Sequence, residues 1–242
     1  MEILKIIKNF LFKNYSPDIA FRYLPVIDIL NKNKLQNSNI IEVGSGDTGL
    51  TRYLKKKITG VDISFEDENS SGLLKKIKIT GIGLPFPDDE FEVAISVDSL
   101  EHIEKDNRRE FIKEIVRVAR KYLIIVVPSG RASLEQDKKL DKQFYDIYKY
   151  HDKFLSDHLT NGLPDEQELK ILFNQDFWDK KLSIVSLEKL TNLQIRDFYM
   201  SCKISKNPIR KFIYYLFLLC LPIKKMLNFG ACYRQIIFIK IN

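Results

Sequence analysis

The sequence predicts an α/β fold in which helices cover both faces of a mostly parallel sheet. Two observations lead to this prediction. Between residues 38 and 130, short apolar segments alternate with segments whose apolar residues recur at helical spacing. A glycine-rich turn at 44–49 also stands directly between the first apolar segment and a helix. Apolar runs without polar alternation are typical of strands buried on both faces, as in parallel sheets covered by helices.

Seven segments have the composition of strands. They are residues 39–43, 58–63, 76–80, 91–97, 122–127, 182–187 and 233–241. Helical spacing predicts helices over 3–12, 18–32, 50–57, 108–121 and 164–173, and a mixed, aromatic-rich helical segment over 133–159. The regular alternation indicates one domain, without internal repeats or a flexible linker.

The amino-acid composition limits the class of protein to which this chain can belong. With 242 residues and 45% hydrophobic residues, the chain can bury a core, which argues against disorder. The net charge of +7 would suit an anionic membrane surface better than nucleic acid, because basic residues are spread along the chain and no RNA-binding module is evident. Three cysteines without a CxxC pair argue against a disulfide framework and favour the cytoplasm. Lysines at positions 5, 8 and 13 interrupt the N-terminal apolar residues, so we expect no secretory signal.

The glycine turn is the first feature that points to chemistry. Gly44, Gly46 and Gly49 lie between a strand and a helix, where a backbone without side chains lets a nucleotide approach closely. Asp62 ends the next strand, where a carboxylate can accept hydrogen bonds from ribose hydroxyls. This pattern alone also fits an NAD-dependent oxidoreductase or an ordinary tight turn.

Three further features favour another nucleotide. Glu42 stands two residues before the first glycine, where it could order the loop or approach a cationic ligand, and where a pyrophosphate would be repelled. Residues 84–91 read LPFPDDEF before the fourth strand, and residues 96–103 read SVDSLEHI after it. With the segments at 41–46 and 60–64, these motifs resemble class I S-adenosylmethionine-dependent methyltransferases, especially the type 11 methyltransferase domain family. The resemblance covers about residues 38–130.

The resemblance implies a Rossmann-like, seven-stranded sheet with the last strand antiparallel and S-adenosylmethionine as the cofactor. The glycine loop would lie under the amino-acid portion of the cofactor, Asp62 would hold the ribose, and residues 98–102 would border the methyl group. The implied cofactor-binding residues are Glu42, Gly44, Ser45, Gly46, Gly49, Asp62, Ile63, Ile82, Gly83, Asp98, Ser99 and Leu100. The chain departs from the family after the third strand, where residues 80–83 read TGIG and lack the acidic residue that often meets adenine.

His102 is the candidate general base, because an imidazole titrates near neutral pH. In this motif the histidine could also only pack or hydrogen-bond, and a strong base is optional when the donor is already reactive. Glu101 and Asp98 are expected to be scaffolding or cofactor contacts. The sequence assigns no metal site, because one sequence does not demonstrate convergent ligands.

The segment 131–163 is interpreted as a lid over the acceptor. It contains His151 and His158 among many aromatic residues, which could line a pocket. Alternatively, Tyr148, His151 and Leu155 form one packed helix face and the rest is solvated.

A run of 12 apolar residues at 212–223 has basic residues at both ends, within 210–225. It is shorter than the roughly 20 residues of a spanning helix. Contact with an anionic membrane surface and burial in the fold or in a dimer interface are the alternatives.

The sequence therefore predicts one catalytic domain, with a helical extension at 1–37, a cofactor-binding core at 38–130, the lid at 131–163 and a C-terminal part at 164–242. That last part carries the apolar insertion at 192–231. The predicted function is methyl transfer to a small-molecule, sugar or lipid-linked acceptor by a cytoplasmic enzyme, with a peripheral position on the inner face of the membrane as an option. An NAD-dependent oxidoreductase and a non-catalytic scaffold with the same fold are the alternatives.

Overall fold

The seven predicted strands are all present and form one sheet. The computed structural model describes residues 15–66, 72–174, 178 and 180–242. The strands are β1 Ile40–Val43, β2 Ile58–Asp62, β3 Leu74–Lys78, β4 Phe91–Val97, β5 Ala119–Pro128, β6 Leu182–Asn192 and β7 Cys232–Ile241. The predicted helix at 3–12 lies outside the described residues.

Eight α-helices occur in the described part of the chain. They are α1 Pro17–Lys32, α2 Thr51–Leu54, α3 Arg108–Val118, α4 Arg131–Tyr148, α5 Lys153–Asn161, α6 Glu166–Leu172, α7 Leu193–Ile204 and α8 Pro208–Leu216. Short 3-10 helices cover Leu100–His102, Lys105–Asn107 and Phe217–Leu227. The helix expected at 50–57 is short, because Lys55 adopts a left-handed conformation that ends it.

The sheet has the order β3-β2-β1-β4-β5-β7-β6. Strands β1 to β5 pair in parallel, and β7 is antiparallel to both of its neighbours. The predicted fold class, including the antiparallel last strand, is confirmed. The chain reverses the direction of strand order between β1 and β4, so a crevice opens at the carboxyl ends of these strands.

Successive side chains of the central strands point to opposite faces of the sheet, and each face has its own hydrophobic core. Leu123, Ile125 and Val127 of β5 pack on one face with residues of α3, including Ile112 and Ile115. On the other face, Ile124 and Val126 pack with Tyr23, Val26 and Leu30 of α1. Both faces of the sheet are therefore covered, which explains the uninterrupted apolar runs in the sequence.

The segment 133–159 is two helices and not one. The chain leaves α4 at Lys149, which has a φ of 66°, and begins α5 after Asp152 caps its first turn. His151 therefore lies in the connection, mostly exposed, while Leu155 is buried in the second helix. The predicted single face of Tyr148, His151 and Leu155 is wrong, because a left-handed residue interrupts the helical periodicity.

The apolar insertion packs on the fold with one side only. Tyr214 and Leu218 are buried against residues of α1 and α7, among them Ala20, Phe21 and Tyr199. Leu219 is 69% exposed and Met226 is 72% exposed. Among the described residues, every helix is too short or too polar to cross a bilayer.

Candidate functional site

The glycine loop follows β1 at the crevice. Gly44, Gly46 and Gly49 all have positive φ angles, of 76°, 54° and 43°, in the left-handed region that favours glycine. A Cβ atom on Gly44 would lie 2.0 Å from the hydroxyl oxygen of Ser99, and one on Gly49 would lie 2.2 Å from a carboxylate oxygen of Glu42. Gly46 has open space where its Cβ would lie. The loop backbone therefore packs closely on other side chains at Gly44 and Gly49, whereas Gly46 faces open space.

The side chain of Glu42 packs under this loop and stabilises it. Its side chain is fully buried, and its two oxygens accept hydrogen bonds from the Tyr23 hydroxyl at 2.8 Å and the Leu50 amide at 2.6 Å. Burial raises the pKa of Glu42 to about 7, although these two donors and Arg22 oppose the shift. Of the roles considered for Glu42, loop ordering fits these contacts, and its expected direct contact with the cofactor does not.

Asp62 and Ile63 form the next edge of the crevice. One Asp62 oxygen accepts a hydrogen bond from the Gly46 amide at 2.8 Å, and the other accepts from the Ser64 amide at 3.2 Å. Ile63 is 65% exposed, which is unusual for an apolar residue at a strand end. An exposed apolar side chain beside a carboxylate suits a nucleoside. The faces of its base are apolar and can pack on the side chain, and its ribose hydroxyls can donate hydrogen bonds to the carboxylate.

Residues 98–100 lie at the end of β4, but their side chains point into the protein. Asp98 has a φ of 48° and contacts Arg22 at 3.0 Å and the Arg234 Nε at 2.8 Å. Burial alone would raise the pKa of Asp98, yet the two guanidinium groups hold it well below its ordinary range. Ser99 packs against Gly44, and the side chain of Leu100 is in the core. Any contact that Leu100 makes with a ligand would therefore come from its backbone.

Glu101 and two histidines meet beside this turn. Glu101 is fully buried, and no other described residue donates a hydrogen bond to either of its carboxylate oxygens. Burial and the charge of Asp98 raise the pKa of Glu101 well above its ordinary value. The Nε2 atom of His158 lies 3.9 Å from Glu101 Oε1, and the rings of His102 and His158 are 5.0 Å apart.

Each of these histidines contacts an aspartate with its other nitrogen. His158 Nδ1 is 2.8 Å from Asp137 Oδ2, and His102 Nδ1 is 3.3 Å from Asp157 Oδ2. Burial and the neighbouring His158 lower the pKa of His102, although Asp157 opposes the shift. The segment interpreted as a lid thus supplies three side chains around His102, those of Phe154, Asp157 and His158.

Sequence reasoning missed several residues of this region. Arg22 and Arg234 lie far from residue 98 in the chain, and His158 and Asp137 come from different helices. The local pattern carried no signal for these contacts, apart from the note that His158 fell within a lid. Ile82 and Gly83, expected near the adenine, lie after β3, with Ile82 half-buried and open space at Gly83 where a Cβ would lie.

The sheet order, the single antiparallel strand and the glycine loop after β1 define the fold of class I methyltransferases. Residues 41–126 match the family model for the type 11 methyltransferase domain. Ajmaline N-methyltransferase from Rauvolfia serpentina is 29% identical over 105 residues, which cover 38% of this chain. The chain spans 35% of the length of that relative.

Solved structures agree with the fold. An S-adenosylmethionine-dependent methyltransferase from Thermotoga maritima superposes with a TM-score of 0.54 and 17% identity, covering 99% of this chain and 95% of that one. Magnesium protoporphyrin IX methyltransferase from Synechocystis PCC 6803, solved with bound S-adenosylhomocysteine, has a TM-score of 0.54 and 12% identity, covering 90% and 81%. At these identities the structural likeness supports the fold alone.

Residues 41–126 thus match a methyltransferase domain, and the described residues have the fold of class I S-adenosylmethionine-dependent methyltransferases. The predicted class and its cofactor are confirmed. The crevice fits this cofactor, because Gly46 and Gly83 leave open space and Asp62 presents a carboxylate at the strand end.

A pair of glycine variants tests the tight part of the loop. We expect Gly49→Ala to lower the free energy of unfolding by about 3 kcal/mol or more, because backbone strain adds to overlap with the buried Glu42 carboxylate. Gly46→Ala is the matched control, since its φ is also positive but its Cβ meets open space, and we expect a loss of about 1 kcal/mol. Urea unfolding of both variants measures the difference. Equal losses would contradict the role of Glu42 beneath Gly49.

The raised pKa of Glu42 predicts a pH dependence of stability. The carboxyl ionises near 4.5 in the unfolded chain and near 7 in the folded protein. The unfolding free energy of the wild type, relative to Glu42→Gln, should therefore fall by on the order of 3 kcal/mol as the pH rises through this window. Below the window both states are protonated, and above it both are ionised. Urea unfolding at several pH values gives the difference, and a flat profile would argue against an ionisable Glu42 in the buried position.

Proposed function

We propose that this protein transfers a methyl group from S-adenosylmethionine to a small-molecule, sugar or lipid-linked acceptor. The observation that carries the proposal is the ordered glycine loop joined to Asp62 at the carboxyl ends of β1 and β2, within a sequence that matches a methyltransferase domain. The similarity to ajmaline N-methyltransferase, which by its name acts on a small molecule, supports an acceptor of that class.

When bound, S-adenosylmethionine supplies a methyl group on a positively charged sulfur. In the proposed arrangement, the glycine loop at 44–49 lies under its amino-acid portion, Asp62 accepts from the ribose hydroxyls, and Ile63 and Ile82 pack on the adenine. Asp98 and Ser99 would support this site from within, because their side chains bind protein groups. The residues of this site would contribute to catalysis by holding the acceptor in line with the methyl group and by excluding water.

The segment 131–163 is proposed to cover the acceptor. Its helices reach the turn after β4, where the Asn161 side-chain amide donates to the His102 carbonyl at 3.0 Å and Asp157 contacts the His102 ring. The base role of His102 stays a prediction, and an acceptor would have to approach the part of this ring that is exposed, 25% of the side chain.

Calorimetric titration with S-adenosylhomocysteine tests the proposed function. We expect binding by the wild type and an affinity about tenfold to a hundredfold lower for Asp62→Ala, because charge-assisted hydrogen bonds contribute about 1.5–3 kcal/mol each. Glu66→Ala is the matched control, since Glu66 is an exposed acidic residue shortly after the same strand. Binding of NADH in place of the thioether would support the oxidoreductase alternative. Binding of neither compound by the folded protein would support a scaffold.

Contact with an anionic membrane surface, such as the inner face of the cytoplasmic membrane, is our proposal for the free side of the apolar insertion. Exposed apolar residues occur there next to the exposed basic residues Arg210, Lys211 and Lys225; the apolar ones are Ile209, Leu219, Ile223, Met226 and Phe229. Basic and apolar residues on one exposed surface are typical of proteins that bind lipid interfaces. The insertion packs on α1, which also supplies Arg22 and Tyr23 to the site, so a lipid-linked acceptor would be held near it.

Vesicle flotation tests this surface. The double variant Leu219→Gln/Met226→Gln should lose most of its binding to vesicles that contain an anionic lipid, because both side chains are exposed and apolar. The control Ile184→Gln/Val185→Gln changes two exposed apolar residues of β6, which are 52% and 53% exposed. Unchanged flotation of the first variant, or an equal loss in the control, would count against membrane contact at this surface.

A further inference from the structure

The described residues contain one cluster whose side chains could hold a metal ion, formed by Glu101, His102 and His158. One ligand atom from each residue lies within 4.8 Å of the others. A tetrahedral metal with bonds of about 2.1 Å separates its ligands by about 3.4 Å. Small rotations of the side chains would therefore bring the three atoms to bonding distance.

Glu101 supplies a second, independent observation. Its carboxylate is completely buried, and neither oxygen accepts a hydrogen bond from another described residue. A buried carboxylate without partners is costly, so such groups normally bind a donor or a cation. Within the cluster, His158 Nε2 lies 3.9 Å from Glu101 Oε1, a separation that leaves room for an ion and is too long for a hydrogen bond.

The two histidines are oriented as metal ligands usually are. His158 contacts Asp137 through Nδ1 and His102 contacts Asp157 through Nδ1, so Nε2 of each ring remains for an ion. Aspartate on the far nitrogen fixes the ring and raises its basicity as a ligand. Asp137 is itself fixed by the Tyr233 hydroxyl at 2.7 Å and by Arg196 at 2.9 Å.

We infer that Glu101, His102 and His158 form a binding site for a divalent transition-metal ion such as Mn²⁺, Fe²⁺, Co²⁺ or Zn²⁺. Two imidazoles and one carboxylate suit these ions better than Mg²⁺ or Ca²⁺, which prefer oxygen ligands. This inference replaces the expectation from the sequence that the protein has no metal site. Access is open from the side of His102 and Asp157, which are 25% and 41% exposed, while His158 and Glu101 are buried.

Three protein ligands leave coordination positions for an acceptor. If the proposed methyl transfer holds, which this step requires, the ion would bind a hydroxyl oxygen of the acceptor and lower its pKa. The hydroxyl proton passes to water, and the oxygen electron pair forms a bond to the methyl carbon. The carbon–sulfur bond breaks with its electrons on sulfur, which leaves a neutral thioether and a methyl ether. The acceptor class is then a compound with a hydroxyl group.

Titration of the full chain with Mn²⁺ tests the site. The protein is first freed of metal with a chelator, and the free ion is followed by electron paramagnetic resonance. We expect one ion per chain, with affinity at least tenfold lower in Glu101→Gln and His158→Asn. His151→Asn is the matched control, since His151 also contacts an aspartate, Asp141, but lies outside the cluster. His102→Asn replaces either ligand variant if thermal unfolding shows that it does not fold.

Each outcome decides the inference. Absence of saturable binding, full affinity in the folded ligand variants, or an equal loss in His151→Asn would overturn it. The cobalt-loaded protein should also change its visible spectrum when catechol, a bidentate oxygen ligand, is added, and an unchanged spectrum would contradict open coordination positions. Titration with S-adenosylhomocysteine reports on the proposed function separately. Binding of the thioether without binding of metal would contradict only the metal site. Binding of metal without binding of the thioether would contradict only the proposed methyltransferase function.

Discussion

The buried ion pair between Asp98 and two arginines connects the parts of this fold. Asp98 directly follows β4, Arg22 lies on α1 and Arg234 lies on β7. Removing Asp98 would leave two guanidinium groups without their shared counter-charge, and breaking a buried ion pair in this way costs about 3–5 kcal/mol. The left-handed backbone of Asp98 is held by the same contacts, and the turn that follows places Glu101 and His102. The candidate site therefore depends on a charge arrangement that spans the first described helix and the last strand.

The negative charge of Asp98 also shapes its neighbours. It disfavours ionisation of Glu101, which is buried close by without a hydrogen-bond donor of its own among the described residues. A cation between Glu101 and the histidines would add to the partial compensation that Arg234 and Arg22 give this carboxylate. Asp137 differs, because Arg196, Tyr233 and His158 all contact it. Of these two buried carboxylates, Asp137 has an ion pair and two hydrogen-bond contacts, and Glu101 accepts no hydrogen bond from another described residue.

The sequence predicted the sheet and its class well, because both depend on local patterns. Apolar runs mark strands such as β5, and three glycines with positive φ mark the loop after β1. It predicted the inner part of the site poorly, because those contacts join residues that are far apart in the chain. His158 meets Glu101 only after the chain turns at Lys149, and the helical spacing around His151 gave no sign of that turn. The environment of the apolar insertion was also ambiguous in the sequence. The same run of residues contains side chains that are buried in the fold and side chains that are exposed.

The two arginines that hold Asp98 lie 76 residues before it and 136 residues after it. Closing such long loops is entropically unfavourable until many other contacts have formed. During synthesis, a chain that has emerged only as far as β5 contains the glycine loop and Asp62 but lacks Arg234. Its cofactor edge can form early, while the turn that carries Glu101 and His102 stays without its second guanidinium. The turn that carries Glu101 and His102 thus gains its second guanidinium only once β7 has joined the sheet, and a chain truncated after β5 would keep the glycine loop and Asp62 without it.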